Sequence, residues 1–238
     1  LVNLENVKEI IQKDFSSAGD NGYIVLSPRV LHSANYGVPQ SRERVIFIGI
    51  KKSELQKTAL EELEKEIISD EYNPYPKPTH AYTAKGENLK KFVALNEIFD
   101  LLDEPEKTSD LSQKFYSKAK YMGAHCQGQT EIKPNGIGPT IRAEHHGNIE
   151  FRRLSKDNGG KLEAELSKGL VERRLTPREC ALIQTFPPDY DFVIENKTGR
   201  KGSFLVSPSQ AYKIIGNAVP PLLAYNLAKR LEDLWDLY

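Results

Sequence analysis

Three hydrogen-bonding side chains, Gln40, Arg42 and Arg44, follow a turn in the stretch YGVPQSRERVIFIG (36–49). A proline fixes the turn, and alternation along an extended strand puts the two arginines on the same side. A guanidinium presents a planar fork of donors that suits a carboxylate, a phosphate or the edge of a base. A structural network, in which the arginines pair with Glu43 or with backbone groups, is equally compatible with the spacing.

The middle of the chain has a local excess of positive charge, although the protein has none overall. Its 238 residues include 33 basic and 33 acidic side chains, so any nucleic-acid surface must be a local patch. Residues 111–153 contain seven lysines and arginines against three glutamates. This excess predicts a surface that faces phosphates, with a solvated polar face as the alternative.

The same region supplies side chains that read base edges in a DNA groove. HCQGQT (125–130) and PTIRAEHHGN (139–148) are rich in Gln, Thr, Arg and His. Arg142 and Gln129 are the first candidates for base contacts. The predicted DNA-binding residues are Gln127, Gln129, Thr140, Arg142 and His145.

The sequence predicts no metal site, no disulfide framework and no dinucleotide-binding motif. His145 and His146 would point to opposite faces of a strand, and no carboxylate or cysteine stands at ligand spacing. Cys126 and Cys180 are far apart and form no CxxC, which is typical of a reducing cytosol. GIG (136–138) precedes a proline rather than a helix, so it is no dinucleotide fingerprint.

Nothing in the sequence predicts insertion into a membrane. The longest apolar runs, such as 45–50, are far too short to span a bilayer, and the start lacks the pattern of a signal peptide. The only methionine is Met122. We therefore expect a piece of a longer protein or a processed product.

Periodicity predicts the elements in the first part of the chain. Apolar residues at helical spacing open it: Val7, Ile10, Ile11 and Phe15. Strands are predicted at 22–31 and 44–50, the second apolar on both faces as in a covered sheet. SELQ (53–56) has the form of a capping box and predicts an amphipathic helix. The apolar face of that helix is Leu55, Ala59, Leu63 and Ile67.

The middle is predicted to be irregular. A proline-rich linker is expected in 72–91, a helix over 110–122, and a hairpin-rich module at 138–154. Two further stretches, TPRE (176–179) and SPSQ (207–210), predict capped helix starts with proline at the first position.

The second of these helices is expected to stop before Gly216, and a last helix to start after Pro220-Pro221. Backbone amides at the Gly216-Asn217 step suit a small carboxylate, although a plain turn between helices is equally compatible. The predicted organisation is an α/β layer formed by 1–73 and 174–238, with 74–173 inserted.

Three stretches together resemble the last three motif blocks of DNA cytosine-5 methyltransferases, in the family's order. They are ANYGVPQSRERVIFIG (34–49), RRLTPRECALIQTFPPDY (173–190) and AYKIIGNAVPPLLAYNLAKRL (211–231). The resemblance implies the C-terminal part of a Rossmann-like α/β methyltransferase domain that uses S-adenosylmethionine. It also implies that 74–173 is the target recognition domain, mostly irregular and β, inserted into that domain.

The resemblance implies roles for particular residues. Arg44 is expected to hydrogen-bond the flipped target cytosine near O2, with Arg42 and Gln40 supporting the catalytic site or the DNA backbone. Asn217 and Ala218 are expected to line the S-adenosylmethionine site.

The family's nucleophile is missing from the sequence. In the family a thiolate from a Pro-Cys pair adds to cytosine C6 after the base leaves the stack. Cys126 follows a histidine and Cys180 follows a glutamate, and no Gly-rich strand–turn for the cofactor is present. Cys180 is expected to be a small buried residue, because it lies on the inner part of a predicted helix with Ala181 and Ile183, and the resemblance also implies a structural role for it. Glu5 in LENV (4–7) resembles the acid of the family's Glu-Asn-Val block, but a carboxylate near a helix N-terminus is the alternative.

The predicted function is sequence-specific binding of double-stranded DNA and positioning of the target cytosine, in the bacterial cytoplasm and in a restriction–modification setting. The chain is predicted to be inactive without an N-terminal methyltransferase half, present either as a separate subunit or as residues absent from this sequence. The alternative is a non-catalytic DNA-binding or regulatory module derived from such an enzyme.

Overall fold

A computed structural model of the chain describes residues 4–19, 21–83, 88–143 and 148–238. His145 and His146 lie outside these residues. The helices are α1 (Leu4–Ser16), α2 (Lys57–Leu63), α3 (Leu95–Phe99), α4 (Leu111–Lys114), α5 (Glu163–Leu166), α6 (Pro177–Ile183), α7 (Pro208–Asn217) and α8 (Pro221–Asp233). A 3-10 turn (Ser33–Tyr36) precedes the Gln-x-Arg-x-Arg stretch.

The strands of the described residues form five two-stranded sheets rather than one layer. The strands are β1 (Tyr23–Val25), β2 (Arg29–His32), β3 (Glu43–Ile46), β4 (Gly49–Lys51), β5 (His80–Ala81), β6 (Lys90–Lys91), β7 (Phe151–Arg153), β8 (Arg173–Arg174), β9 (Ile194–Glu195) and β10 (Phe204–Val206). Antiparallel pairing joins β1 with β4, β2 with β3, β7 with β8, and β9 with β10, whereas β5 and β6 are parallel.

Two compact units make up the chain. The first unit contains Leu1–His32, Glu43–Pro78 and Ala224–Tyr238. Within it each predicted long strand is broken in two, so that the stretch 44–50 contributes to both β3 and β4. The predicted cover over both faces is wrong for β3, because Val45 is 49% exposed and its partner Val30 is 62% exposed.

The helix predicted after the stretch SELQ starts later than its capping-box pattern suggests. Residues 52–54 form a 3-10 turn, and α2 begins at Lys57 after Gln56, whose side chain makes no capping hydrogen bond. Instead, the Gln56 amide N–H and side chain donate to backbone oxygens at the chain end, and the Nε2 distance to the Asp236 oxygen is 3.0 Å. The predicted capping box is therefore wrong, because hydrogen bonds to residues 236 and 238 hold the start of this helix instead.

The second unit contains Ser33–Arg42 and Thr79–Leu223. Its apolar core draws on helices and strands from the whole of this range and includes Leu95, Phe99, Ile141, Ile149, Leu175, Ile183, Tyr212 and Ile215. Residues 174–223 therefore group with the middle of the chain, whereas the sequence predicts them with the C-terminal helices. The reason is that α6 and α7 pack on each other and share this core.

The helix predicted over 110–122 is reduced to the single turn α4. Phe115 is already extended, and the following chain gives its carbonyl groups to Arg174 instead of to a helix. The Arg174 guanidinium donates to the Ala119 oxygen at 2.8 Å and to the Lys120 oxygen at 3.2 Å. A buried arginine thus overrides local helix propensity.

The predicted helix starts at Thr176 and Ser207 are confirmed. The Thr176 hydroxyl accepts from the Glu179 amide, and Ser207 accepts from the Gln210 amide, with a proline next in each case. The predicted stop before Gly216 is wrong, because α7 continues to Asn217. Gly216 instead allows α7 to lie close to the backbone of residues 142–143.

Candidate functional site

The loop from Ser33 to Arg42 is almost entirely buried, although its residues are typical of turns. Gly37 has a φ of +82°, which glycine adopts without strain. The loop pairs with the backbone around Gly138: the Gly138 amide donates to the Pro39 oxygen at 2.8 Å, and the Ser41 amide donates to the Gly138 oxygen at 2.9 Å. Backbone hydrogen bonds therefore fix the Gln-x-Arg-x-Arg segment in place.

Arg42 joins three separate stretches of the second unit. Its side chain is buried, and its guanidinium donates to the Ile141 oxygen at 2.8 Å, the Gly216 oxygen at 3.1 Å and the Ala218 oxygen at 3.2 Å. The last two carbonyls lie at the C-terminal end of α7, where a positive charge is favourable. Arg42 is therefore a positioning residue that ties the first motif block to the third.

Gly216 allows the same stretches to approach closely. A Cβ atom at this position would lie 2.2 Å from the Arg142 carbonyl carbon and 2.4 Å from the Ala143 nitrogen. Any larger residue would therefore push α7 away from 142–143. The glycine is required here by space and not by a turn.

Two places near the hydrogen bonds of Arg42 are candidates for ligand contacts: the Asn217–Ala218 step and Gln40. Asn217 is exposed at the end of α7, and Ala218 is half-buried. Gln40 is fully buried, and neither its Oε1 nor its Nε2 has a hydrogen-bond partner among the described residues. Such an amide costs about 1–3 kcal/mol, so it is typical of a functional loop rather than one optimised for stability.

Arg44 belongs to the first unit, on β3. Its backbone pairs with Leu31 of β2, and its side chain is exposed, with Nη1 donating to the Glu43 oxygen at 2.6 Å. The structure therefore gives the two arginines of the motif different surroundings: Arg42 is buried and Arg44 is exposed.

The predicted phosphate-facing patch at 111–153 loses three of its seven cations to ion pairs. Arg152 and Arg153 both donate to Glu165, and Arg153 also donates to Glu104. Arg142 lies 3.6 Å from Glu150. The charge count overestimated the excess because Glu104 and Glu165 lie outside the counted range.

Exposed lysines remain in this region. They are Lys114, Lys118, Lys120 and Lys133. Lys118 lies over the Tyr116 ring at 3.5 Å, which is a cation–π contact.

The predicted base-reading residues differ in their surroundings. Gln129 is buried, and its Oε1 accepts from the Met122 amide at 2.8 Å, which favours a structural role. The Thr140 hydroxyl donates to the Ser41 oxygen. Gln127 is exposed and Arg142 is partly exposed, whereas His145 lies outside the described residues.

Arg173 and Glu179 form a buried ion pair. Arg173 was not singled out in the sequence analysis. The Arg173 guanidinium donates to both Glu179 oxygens, at 2.8 and 2.9 Å. Burial alone would raise the pKa of Glu179, but the charge and hydrogen bonds of Arg173 outweigh it and hold the pKa below its usual range. The signal available in the sequence was the pair of adjacent arginines in RRLTPRE. Both of them, Arg173 and Arg174, are buried and hydrogen-bonded in the structure.

Cys180 is fully buried on α6, and burial raises the pKa of its thiol well above the usual range. A thiol in these surroundings stays protonated and is a poor nucleophile. Cys126 is exposed.

In the part of the chain that the structure describes, no three or more His, Cys, Asp or Glu side chains are grouped so that they could bind a metal ion. No helix in the same part is long and apolar enough to cross a membrane.

Known proteins resemble the chain over almost its whole length. Type II methyltransferase M.BsuRI of Bacillus subtilis is 32% identical over 232 residues, covering 96% of this chain and 46% of the relative. Type II methyltransferase M.BspRI of Lysinibacillus sphaericus is 32% identical over 240 residues, covering 96% of this chain and 50% of the relative. The chain thus spans about half the length of these relatives.

The fold is that of a methyltransferase. The crystal structure of the S. pombe Dnmt2 methyltransferase aligns with 97% of this chain and 62% of its own, with a TM-score of 0.50 and 13% identity. The family model of the C-5 cytosine-specific DNA methylase matches residues 1–233. The family-model match and the two relatives lead to one conclusion: the chain belongs to the C-5 cytosine-specific DNA methylase family.

Proposed function

We propose that this chain binds double-stranded DNA and positions the target cytosine for methylation at C5 with S-adenosylmethionine, as the C-terminal half of the enzyme. The observation that carries the proposal is the set of hydrogen bonds from Arg42 to Ile141, Gly216 and Ala218, which ties the first of the family's motif blocks to the third. The names of the type II methyltransferase relatives support a restriction–modification setting, and a bacterial cytoplasm is the proposed location.

In this proposal Arg44 contacts the target base, because its guanidinium is exposed and its backbone is fixed in a strand. Arg42 and Gln40 support the catalytic site or the DNA backbone in this proposal, and Arg42 fixes the loop that precedes the strand in the chain. An arginine fork suits the cytosine O2 acceptor better than a lysine would, because its donors are planar and fixed.

Asn217 and Ala218 would hold part of the cofactor. An exposed amide on an anchored helix end fits the polar groups of S-adenosylmethionine, and Arg42 fixes the Ala218 backbone. When bound, the cofactor supplies an electrophilic methyl group. The residues of this chain account for only one side of such a pocket.

The nucleophile is proposed to come from an N-terminal half with the family's Pro-Cys loop. Cys180 is buried and protonated, and neither cysteine follows a proline. The exposed cross-strand pair Val30–Val45 offers apolar surface to such a half, together with Ile10 and Phe15 of α1, which are 54% and 48% exposed.

Methyl transfer to DNA tests the proposal, measured with this chain alone and with the polypeptide that carries the Pro-Cys loop. We expect DNA binding by the chain alone and methylation only by the combination. Robust methylation by the chain alone would refute the division into halves. DNA binding without methylation in both cases would favour the non-catalytic module.

A further inference from the structure

Arg142, one of the predicted base-reading residues, has a partly exposed side chain next to a buried carboxylate. Arg142 Nη1 lies 3.6 Å from Oε1 of Glu150. The Glu150 side chain is only 8% exposed, whereas 35% of the Arg142 side chain remains exposed. A buried carboxylate therefore lies within ion-pair distance of a guanidinium that reaches the surface.

The backbone of Arg142 is fixed as well. The preceding carbonyl, that of Ile141, accepts from Arg42 at 2.8 Å. The Arg142 carbonyl packs directly on Gly216, with no room for a Cβ atom. Two motif blocks of the proposed catalytic site thus set the position of this residue.

We propose that Arg142 reads a guanine in the DNA recognition sequence and that Glu150 is the positioning residue that sets the direction of its guanidinium. This inference rests on the proposed function and names its specificity determinant. A guanine presents O6 and N7, two acceptors that match the arginine fork. An arginine fork suits a phosphate as well, so the base preference, and not the affinity alone, distinguishes the two contacts. A buried carboxylate beside the guanidinium limits the directions it can take, which favours base reading.

The experiment uses the chain together with its Pro-Cys partner polypeptide and a pool of duplexes with randomised bases around one cytosine. Sequencing the methylated fraction gives the base preference at each position. We expect Arg142→Lys to reduce the preference for guanine at one position by about 5-fold to 150-fold, the range of one bidentate contact. Glu150→Gln should relax the same position, and the double variant should relax it no further than Arg142→Lys alone.

Two further variants separate orientation from folding and from charge. Glu150→Asp keeps the carboxylate and should retain most of the base preference. If only side-chain volume mattered, Asp would reduce the preference more than Gln does. Lys120→Gln removes an exposed charge from the same region and should weaken binding equally for all sequences. Thermal unfolding of each variant identifies those that fail to fold.

Each outcome decides the inference. A uniform loss of affinity with Arg142→Lys, without a change in base preference, would reassign Arg142 to a phosphate and overturn it. An unchanged preference with Glu150→Gln would remove the positioning role. If the unsubstituted protein neither binds nor methylates any duplex, the proposed function fails and this inference falls with it.

Discussion

At the scale of single residues, two arginines of one motif have opposite surroundings. Arg42 donates to three backbone carbonyls and is 5% exposed, whereas Arg44, two residues later, is exposed on a strand. Removing Arg42 leaves buried acceptors without partners, and this penalty is larger than the gain from an average hydrogen bond. The motif therefore combines a structural arginine with one available to a ligand.

Replacing Arg42 by Gln is expected to lower the free energy of unfolding by about 1.5–3 kcal/mol, because hydrogen bonds from a charged group are lost. Arg44→Gln is the matched control and should leave stability unchanged while reducing methyl transfer by the complete enzyme. Urea unfolding measures the first effect. Equal destabilisation by both substitutions would contradict the difference in roles.

Gly216 gives a second prediction at this scale. Gly216→Ala should lower the free energy of unfolding by about 1–3 kcal/mol, because its Cβ would lie 2.2 Å from the Arg142 carbonyl carbon. Gly136→Ala is the control, since the nearest atom to its Cβ lies 3.5 Å away. Thermal unfolding compares the two, and a neutral Gly216→Ala would show that α7 yields to the methyl group at no cost.

At the scale of elements, α6 depends on a buried ion pair at its N-terminus. Glu179 closes the capping box with Thr176 and also accepts both hydrogen bonds from Arg173 of β8. One carboxylate thus starts the helix and attaches it to a neighbouring strand.

Glu179→Gln is expected to cost about 3–5 kcal/mol of stability, because it leaves Arg173 charged and buried without its main partner. The same substitution at Glu232, in an exposed pair with Lys229, should leave the unfolding midpoint unchanged. Denaturant unfolding of the two variants provides the comparison. Similar midpoints would mean that Glu104, the other partner of Arg173, is sufficient to stabilise the buried guanidinium.

At the scale of the whole molecule, the buried carboxylates predict acid lability. For Glu104, Glu172 and Glu179, burial acts to raise the pKa, but arginine charges or hydrogen bonds outweigh it and the net pKa is lowered from 4.5. Their stabilisation is fully present above pH 4.5 and is lost as the pH falls through the lowered folded-state pKa values. Burial raises the pKa of Glu150, so this group acts in the opposite direction.

We therefore expect stability to fall steeply as the pH drops below the ordinary glutamate pKa. Unfolding midpoints measured across this range test the sign. A rise in stability on acidification would mean that Glu150 dominates the balance.

The exposed valine pair gives a prediction about association. The edge of β2–β3 and its apolar face, with Val30 and Val45 in register, should promote self-association of the chain alone. Replacing both valines by Thr should shift the chain toward monomer in light scattering, because threonine keeps the β-branched shape and adds a polar group. Adding the Pro-Cys polypeptide should have the same effect, and a monomer at all concentrations without either change would speak against this surface.

The sequence by itself determined the family through three ordered motif blocks, and it determined the helix starts at Thr176 and Ser207 through local capping chemistry. The two helix starts depend on residues within four positions of each other, so capping rules can predict them. Buried Cys180 follows from the same local pattern.

Only the tertiary structure decided which arginines are buried, why Gly216 is required and where the predicted helix at 110–122 ends. Arg174 bonds to carbonyls of 119–120 and of Gly128 and Ile149, and Arg42 bonds to residues far along the chain. Such pairings join segments that are distant in sequence, and their free energies exceed local propensities. A sequence lists the charged groups, but the fold decides which of them face one another.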